Sequence, residues 1–129
     1  VANDKPVLYC TRDGSFGFYP MEFDTFCRFG VPVVCVISND SGWGMIKYGQ
    51  SLFHPQLVGP GRVGVDLHPM RAYEKMVAMW DGYGERVRWP EDIGPAIRRG
   101  YASGKPAIIN VETSCESSSP TTRRLVSFE

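Results

Sequence analysis

Val33-Val34-Cys35-Val36-Ile37 is a run of consecutive apolar residues, most of them β-branched. A strand can do without polar alternation only when both its faces are covered, as in a parallel sheet flanked by helices. Just upstream, Met21, Phe23, Phe26, Cys27 and Phe29 recur at mixed i+3 and i+4 spacing. This predicts a helix over 19–29 with one buried face, stopped by Gly30-Val31-Pro32. Earlier still, Lys5-Pro6-Val7-Leu8-Tyr9-Cys10 reads as a buried strand running into a tight loop at Asp13-Gly14-Ser15. Strand, helix, strand in that order is a βαβ unit, whose right-handed crossover makes the two strands neighbours.

Downstream, 39–65 is rich in Gly, Pro and Ser, with a short helix expected near 45–48. A connection of that length in a compact domain is commonly functional. Tyr73, Met76, Val77 and Trp80 fall at helical spacing, so a helix is expected over 66–80, followed by a strand at 84–89. A further helix over 90–101 starts at Pro90 and has Gly104 beyond its end, the usual asymmetry of those two residues. A last apolar strand covers 106–111, and periodicity is lost from 114 onward. The expectation is an α/β fold with a mostly parallel sheet flanked by helices, one domain over 1–113 and an irregular tail over 114–129.

The 129 residues suffice for one core, and 43% hydrophobic with 22% charged residues is an ordinary globular composition. Lys plus Arg and Asp plus Glu both number 14, so there is no general basic field to gather nucleic acid, and any bound anion must be held locally. No apolar run approaches the roughly 20 residues of a membrane span. Cys10, Cys27, Cys35 and Cys115 lack C-x-x-C spacing, and three sit in apolar stretches, so reduced structural thiols are expected rather than zinc ligands. Val1 follows no initiator Met or signal pattern, which reads as a fragment, a subunit or a processed chain. The expected location is cytoplasmic.

In an open parallel sheet, ligands gather at the carboxyl ends of the strands. Two loops qualify: Arg12-Asp13-Gly14-Ser15 after the first strand and Ser38-Asn39-Asp40-Ser41 after the second. Adjacent strands bring Asp13 and Asn39 together although 26 positions separate them. One carboxylate and one neutral amide oxygen suit Mg²⁺, which keeps its other positions for phosphate oxygens and water, and Gly14 lets backbone approach a phosphate. A diphosphate bridged by Mg²⁺ is the natural guest.

These same residues carry a resemblance. Asp13-Gly14-Ser15-Phe16, the helix Pro20-Met21-Glu22-Phe23-Asp24-Thr25, the strand 33–37 and the loop Asn39-Asp40-Ser41-Gly42-Trp43-Gly44 resemble the thiamine diphosphate (ThDP)-binding motif of the acetolactate synthase superfamily. There a Gly-Asp-Gly triplet is followed roughly two dozen residues later by a pair of Asn. Tyr83-Gly84-Glu85, the helix from Pro90 and Gly104-Lys105-Pro106-Ala107-Ile108-Ile109-Asn110-Val111 resemble the end of that domain, so the likeness runs almost the whole chain. The resemblance implies the ThDP-binding fold, in the later part of the diphosphate-binding domain. It makes Asp13 and the Asn39 side chain Mg²⁺ ligands, with the Ser41 carbonyl as the third. Gly14 and Ser15 would offer N–H groups to the diphosphate, as would the backbone around Gly44 and Met45, while Trp43, Met45 and Lys47 would line the approach to the reacting carbon.

The family's activating Glu comes from a pyrimidine-binding domain, usually of a neighbouring subunit, so that partner and an oligomer are implied. Trp43-Gly44 and Tyr48-Gly49-Gln50 resemble the acetolactate synthase-like and 2-hydroxyacyl-CoA lyase-like branches. The implied enzyme is a lyase, decarboxylase or carboligase acting on 2-keto acids or 2-hydroxyacyl-CoA. Two departures stand out: Arg12 occupies the place of the usual first Gly, and Ser38 that of the usual first Asn. They leave open a non-catalytic or regulatory subunit with a degenerate ThDP site. A nucleotide-binding Rossmann module is disfavoured, since no G-x-G-x-x-G follows a strand.

Each feature also has a plainer reading. Asp13-Gly14 by itself is an ordinary turn, and only its combination with Asn39 gives it weight. Met21, Phe23, Phe26 and Phe29 read as core or subunit-interface packing, and His54 and His68 as solvated or structural residues. Arg98-Arg99 form a solvated face, while Arg123-Arg124 in the tail are candidates for a phosphate-bearing substrate.

Overall fold

The computed structural model describes residues 5–57 and 63–115. Four strands, β1 (Val7–Arg12), β2 (Val33–Asn39), β3 (Tyr83–Val87) and β4 (Ala107–Glu112), form one sheet in the order β1-β2-β4-β3, with every neighbouring pair parallel. The helices are α1 (Asp13–Phe16), α2 (Glu22–Arg28), α3 (Gly44–Phe53) and α4 (Pro90–Ala102), with 3₁₀ segments at Pro55–Leu57 and Tyr73–Trp80. Among the described residues, no helix is long and apolar enough to cross a membrane.

The apolar runs form the two central strands, β2 and β4. Strand periodicity sends alternate residues to opposite faces. Cys35, Ile37 and Ile108 meet Phe16, Phe23, Tyr73 and Val77 on one face, whereas Val34, Ala107, Ile109 and Val111 meet Val87 and Ala96 on the other. Burying each large aliphatic side chain here contributes about 1.5–3 kcal/mol. α4 covers the second face, and its start is set by Pro90 in the first turn, where a missing N–H costs nothing.

Several expectations are corrected. β1 is not buried: Leu8 is 47% and Tyr9 45% exposed, because β1 is an edge strand and α4 packs over β2, β3 and β4 instead. The expected loop at 13–15 is a single helical turn, and α3 runs to Phe53, well past the short helix expected at 45–48. Of the apolar residues in the second helix only Phe23 is buried, while Met21 and Phe29 are exposed. Of the cysteines only Cys35 is buried, and Cys10 and Cys115 are exposed; none is in a disulfide. Burial pushes the Cys35 thiol up to about 12.

The helix expected over 66–80 is a 3₁₀ helix confined to Tyr73–Trp80, with Tyr73 and Val77 buried as their spacing required. Residues 66–72 are held out of helix by other bonds. Asp66 bridges Gly42, Met70 has a φ of 43°, and the Arg71 carbonyl is taken by side chains from the sheet. The tail lies outside the described residues from 116 onward, and Arg123 and Arg124 with it.

Candidate functional site

The site is set by strand register. Arg12 and Ser38 are paired across β1 and β2, so Asp13 and Asn39, the next residue of each, emerge side by side at the carboxyl ends. Asp13 is 1% exposed and Asn39 is fully buried. Gly14 is buried beside them under Trp43: a Cβ on Gly14 would lie 3.0 Å from the indole, so the ring closes over this turn. Phe18 packs edge-on against Trp43, with centroids 5.2 Å apart.

Neither carboxylate oxygen of Asp13 makes a well-formed hydrogen bond; its own N–H and that of Gly14 lie close and only partly offset its burial. The carboxylate of Asp40 lies beside it. One Asp40 oxygen accepts from Arg12 Nη1 at 3.0 Å, and the other, buried, makes no hydrogen bond. Burial first, and the neighbouring Asp40 charge second, raise the Asp13 carboxyl from 3.8 to about 6. A buried carboxylate without partners is costly, and a cation is what relieves it. Among the described residues no group of three or more His, Cys, Asp or Glu could hold a metal alone. The oxygens gathered here, on Asp13, Asn39 and Ser41, are hard donors of the kind that suit Mg²⁺, with no thiolate or imidazole among them of the kind that suits zinc.

Asn39 is oriented from behind. Its Nδ2 donates to the Arg71 carbonyl at 3.0 Å and to Asn110 Oδ1 at 3.1 Å. Asn110, buried in β4, donates in turn to the same carbonyl at 3.0 Å and to Glu74 Oε2 at 2.7 Å. With both amide hydrogens engaged, the Asn39 oxygen is turned the other way, where the Ser41 N–H donates to it at a long 3.3 Å. Ser41 sits in the left-handed region at φ 59°. Its carbonyl accepts from Leu67 N–H at 2.9 Å, which leaves one lone pair for a metal. Its hydroxyl accepts from Met70 N–H at 2.8 Å.

α3 begins at Gly44 with no side-chain cap, and its first intrahelical bond runs from Lys47 N–H to the Trp43 carbonyl. The N–H groups of that first turn, Gly44 and Met45 included, therefore have no partner within the helix. Gly44 and Met45 line a largely apolar cavity of about 150 Å³, together with Arg12, Gly14, Ser15 and Trp43. Ser15 and Met45 are exposed. Lys47 is bound to Asp66 at 2.6 Å, while His54 and His68 are exposed. A larger apolar cavity of about 410 Å³, between β1 and α2, lies against Val7, Tyr9, Phe23 and Phe26.

Sequence reasoning had missed Asp40, Glu74, Asn110 and the Arg71 carbonyl. One signal was available: a lone Asn inside the apolar run Ala107-Ile108-Ile109-Asn110-Val111 must find partners if that strand is buried.

Residues 1–111 match the family described as thiamine pyrophosphate enzyme, C-terminal TPP binding domain. The chain is 38% identical over 109 residues to a probable acetolactate synthase of Mycobacterium bovis, an alignment covering 84% of this chain and 19% of that protein. It is 35% identical over 112 residues to oxalyl-CoA decarboxylase of Escherichia coli, covering 86% of this chain and 19% of that one. The chain thus spans about a fifth of the length of these relatives. Its fold superposes on benzoylformate decarboxylase from Polynucleobacter necessarius with a TM-score of 0.78 at 19% identity, covering 91% of this chain and 21% of that structure.

Proposed function

Since the chain belongs to the thiamine pyrophosphate enzyme family, as its C-terminal TPP-binding domain, we propose that it moors the diphosphate of ThDP through Mg²⁺. The domain that does so spans 1–113. Asp13 and the Asn39 side chain bind the metal, and the Ser41 carbonyl is the third protein ligand. Main-chain N–H groups of Gly14, Ser15, Gly44 and Met45 face the diphosphate. The observation that carries this reading is the buried Asp13 carboxylate, which makes no well-formed hydrogen bond and lies beside a second carboxylate that raises its proton affinity.

When bound, ThDP supplies a nucleophilic carbon and an electron sink for breaking or making a C–C bond next to a carbonyl. The residues of this chain anchor and orient. Asp13 supplies charge to the metal, Asn39 a neutral oxygen fixed by Asn110 and Arg71, and Trp43 shields the turn at Gly14 from water. The activating Glu comes from a pyrimidine-binding domain or subunit, so the working unit is an oligomer, and we place it in the cytoplasm.

The complete enzyme is a ThDP- and Mg²⁺-dependent lyase, decarboxylase or carboligase acting on 2-keto acids or 2-hydroxyacyl-CoA. Likeness to an acetolactate synthase favours the first class, and likeness to a 2-hydroxyacyl-CoA lyase, 31% identical over 112 residues, favours the second. The test is to supply the full assembly with ThDP, Mg²⁺ and either class and follow C–C cleavage or ligation. Turnover of neither, together with calorimetry that detects no Mg²⁺-dependent ThDP binding, would favour the degenerate regulatory subunit instead.

A further inference from the structure

Arg12 is where the chain departs most from the motif it resembles, and its surroundings give that departure a purpose. The side chain reaches from the end of β1 to Asp40, with Nη1 donating to Oδ2 at 3.0 Å; the Arg12 side chain is 43% exposed and that of Asp40 only 5%. Both groups lie against Gly44. A Cβ there would stand 2.5 Å from Arg12 Nη1 and 2.7 Å from Asp40 Oδ2, so a side chain at residue 44 would push the ion pair aside from the first turn of α3. Arg12 also lines the cavity of about 150 Å³ that the uncapped start of α3 borders.

We propose that Arg12 is a diphosphate-contacting residue, held in position by Asp40, so that the two work as a matched pair. The inference rests on the reading that this site takes a diphosphate with Mg²⁺. A guanidinium carries five N–H donors in a rigid fork. The bond to Asp40 uses one, and Arg12 also lines the cavity beside the start of α3, which leaves donors for a phosphate there. The charges agree with this. Two carboxylates already balance a divalent ion, which leaves the charge of a diphosphate unmet, and Arg12 is the cation at hand. Planar, bidentate pairing with phosphate oxygens is what arginine does better than lysine.

The experiment is calorimetry on the full protein with Mg²⁺, using ThDP and, separately, inorganic pyrophosphate. The proteins are the wild type, Arg12→Gln, Asp40→Asn and the double variant, each checked for folding by circular dichroism. Arg12→Gln is expected to weaken both ligands roughly tenfold or more by itself, and by a smaller factor, above about threefold, in the Asp40→Asn background, where nothing holds the guanidinium. The second background matters because Arg12→Gln then leaves no unpaired charge at residue 40, so it carries the comparison should Arg12→Gln alone misfold. A loss below about twofold in that background would mean that Arg12 only neutralises Asp40, and would overturn the proposal.

The two readings fail separately. Tight ThDP binding indifferent to Arg12 sinks this inference and leaves the cofactor assignment standing. Arg12-dependent binding of pyrophosphate without binding of ThDP does the reverse. Binding of neither ligand by the wild type overturns both.

Discussion

Asp13→Asn should make the metal-free protein more stable while abolishing its response to Mg²⁺ and ThDP. In the folded chain the Asp13 carboxyl titrates at about 6 instead of 3.8, raised by burial and then by Asp40. A raised carboxyl value means that the folded state holds the proton more tightly than the unfolded one. The ionised group therefore destabilises the fold at every pH above about 6, and the penalty fades as pH falls through 6 towards 3.8. At pH 7.5 the difference is worth at most about 3 kcal/mol, and on the order of 1–3 kcal/mol once part of it is shared with Asp40 and screened by solvent. An amide of the same shape carries no charge to desolvate, and it can donate to the Asp40 oxygen that now makes no hydrogen bond. Urea unfolding in chelator should thus show the variant more stable by about 1–3 kcal/mol at pH 7.5, with the gap closing by pH 4. Adding Mg²⁺ and ThDP should stabilise only the wild type. A variant no more stable than wild type at pH 7.5, or a gap that stays constant with pH, would refute the claim that Asp13 is a buried charge its neighbours do not compensate.

Asn110→Ala removes the clamp behind Asn39. It should cost about 2–4 kcal/mol in denaturant unfolding and weaken Mg²⁺-dependent ThDP binding in calorimetry, since Glu74 and the Arg71 carbonyl lose a donor. Ile108→Ala, at a fully buried position, should cost about 2–5 kcal/mol, whereas Leu8→Ala, 47% exposed, should cost below about 1 kcal/mol; the same unfolding curves check both. Glu85 is hydrogen-bonded to Arg99 and Tyr83, which hold its carboxyl below the usual value of 4.5. Its contribution is therefore present above pH 4.5 and lost as pH falls through the depressed value. Glu85→Gln should flatten that part of the acid limb by less than about 1 kcal/mol, because Arg99 is exposed.

The parts of the fold that could be read from the sequence are those decided by local pattern. Val33 to Ile37 and the run around Ile108 had to be covered strands, and Asp13 and Asn39 had to lie at adjacent strand ends once a single crossover joined β1 to β2. What local pattern cannot give is what lies on top of an element. Val7-Leu8-Tyr9 is as apolar as a core strand, yet its exposure depends on where α4 sits. Residues 66–72 had helical spacing at their end but lost the contest to side chains of the sheet, which took the Arg71 carbonyl. The Arg12–Asp40 pair joins residues 28 positions apart, and nothing short of the strand register would have matched them.

That one main-chain oxygen at residue 71 accepts from side chains on both central strands, β2 and β4. Such a loop is riveted to the middle of the sheet: to swing away it would have to strand two amides in a dry interior. Any breathing that lets a ligand in or out must hinge somewhere cheaper. α3, which has no buried residue, is held to the body far less firmly than that loop.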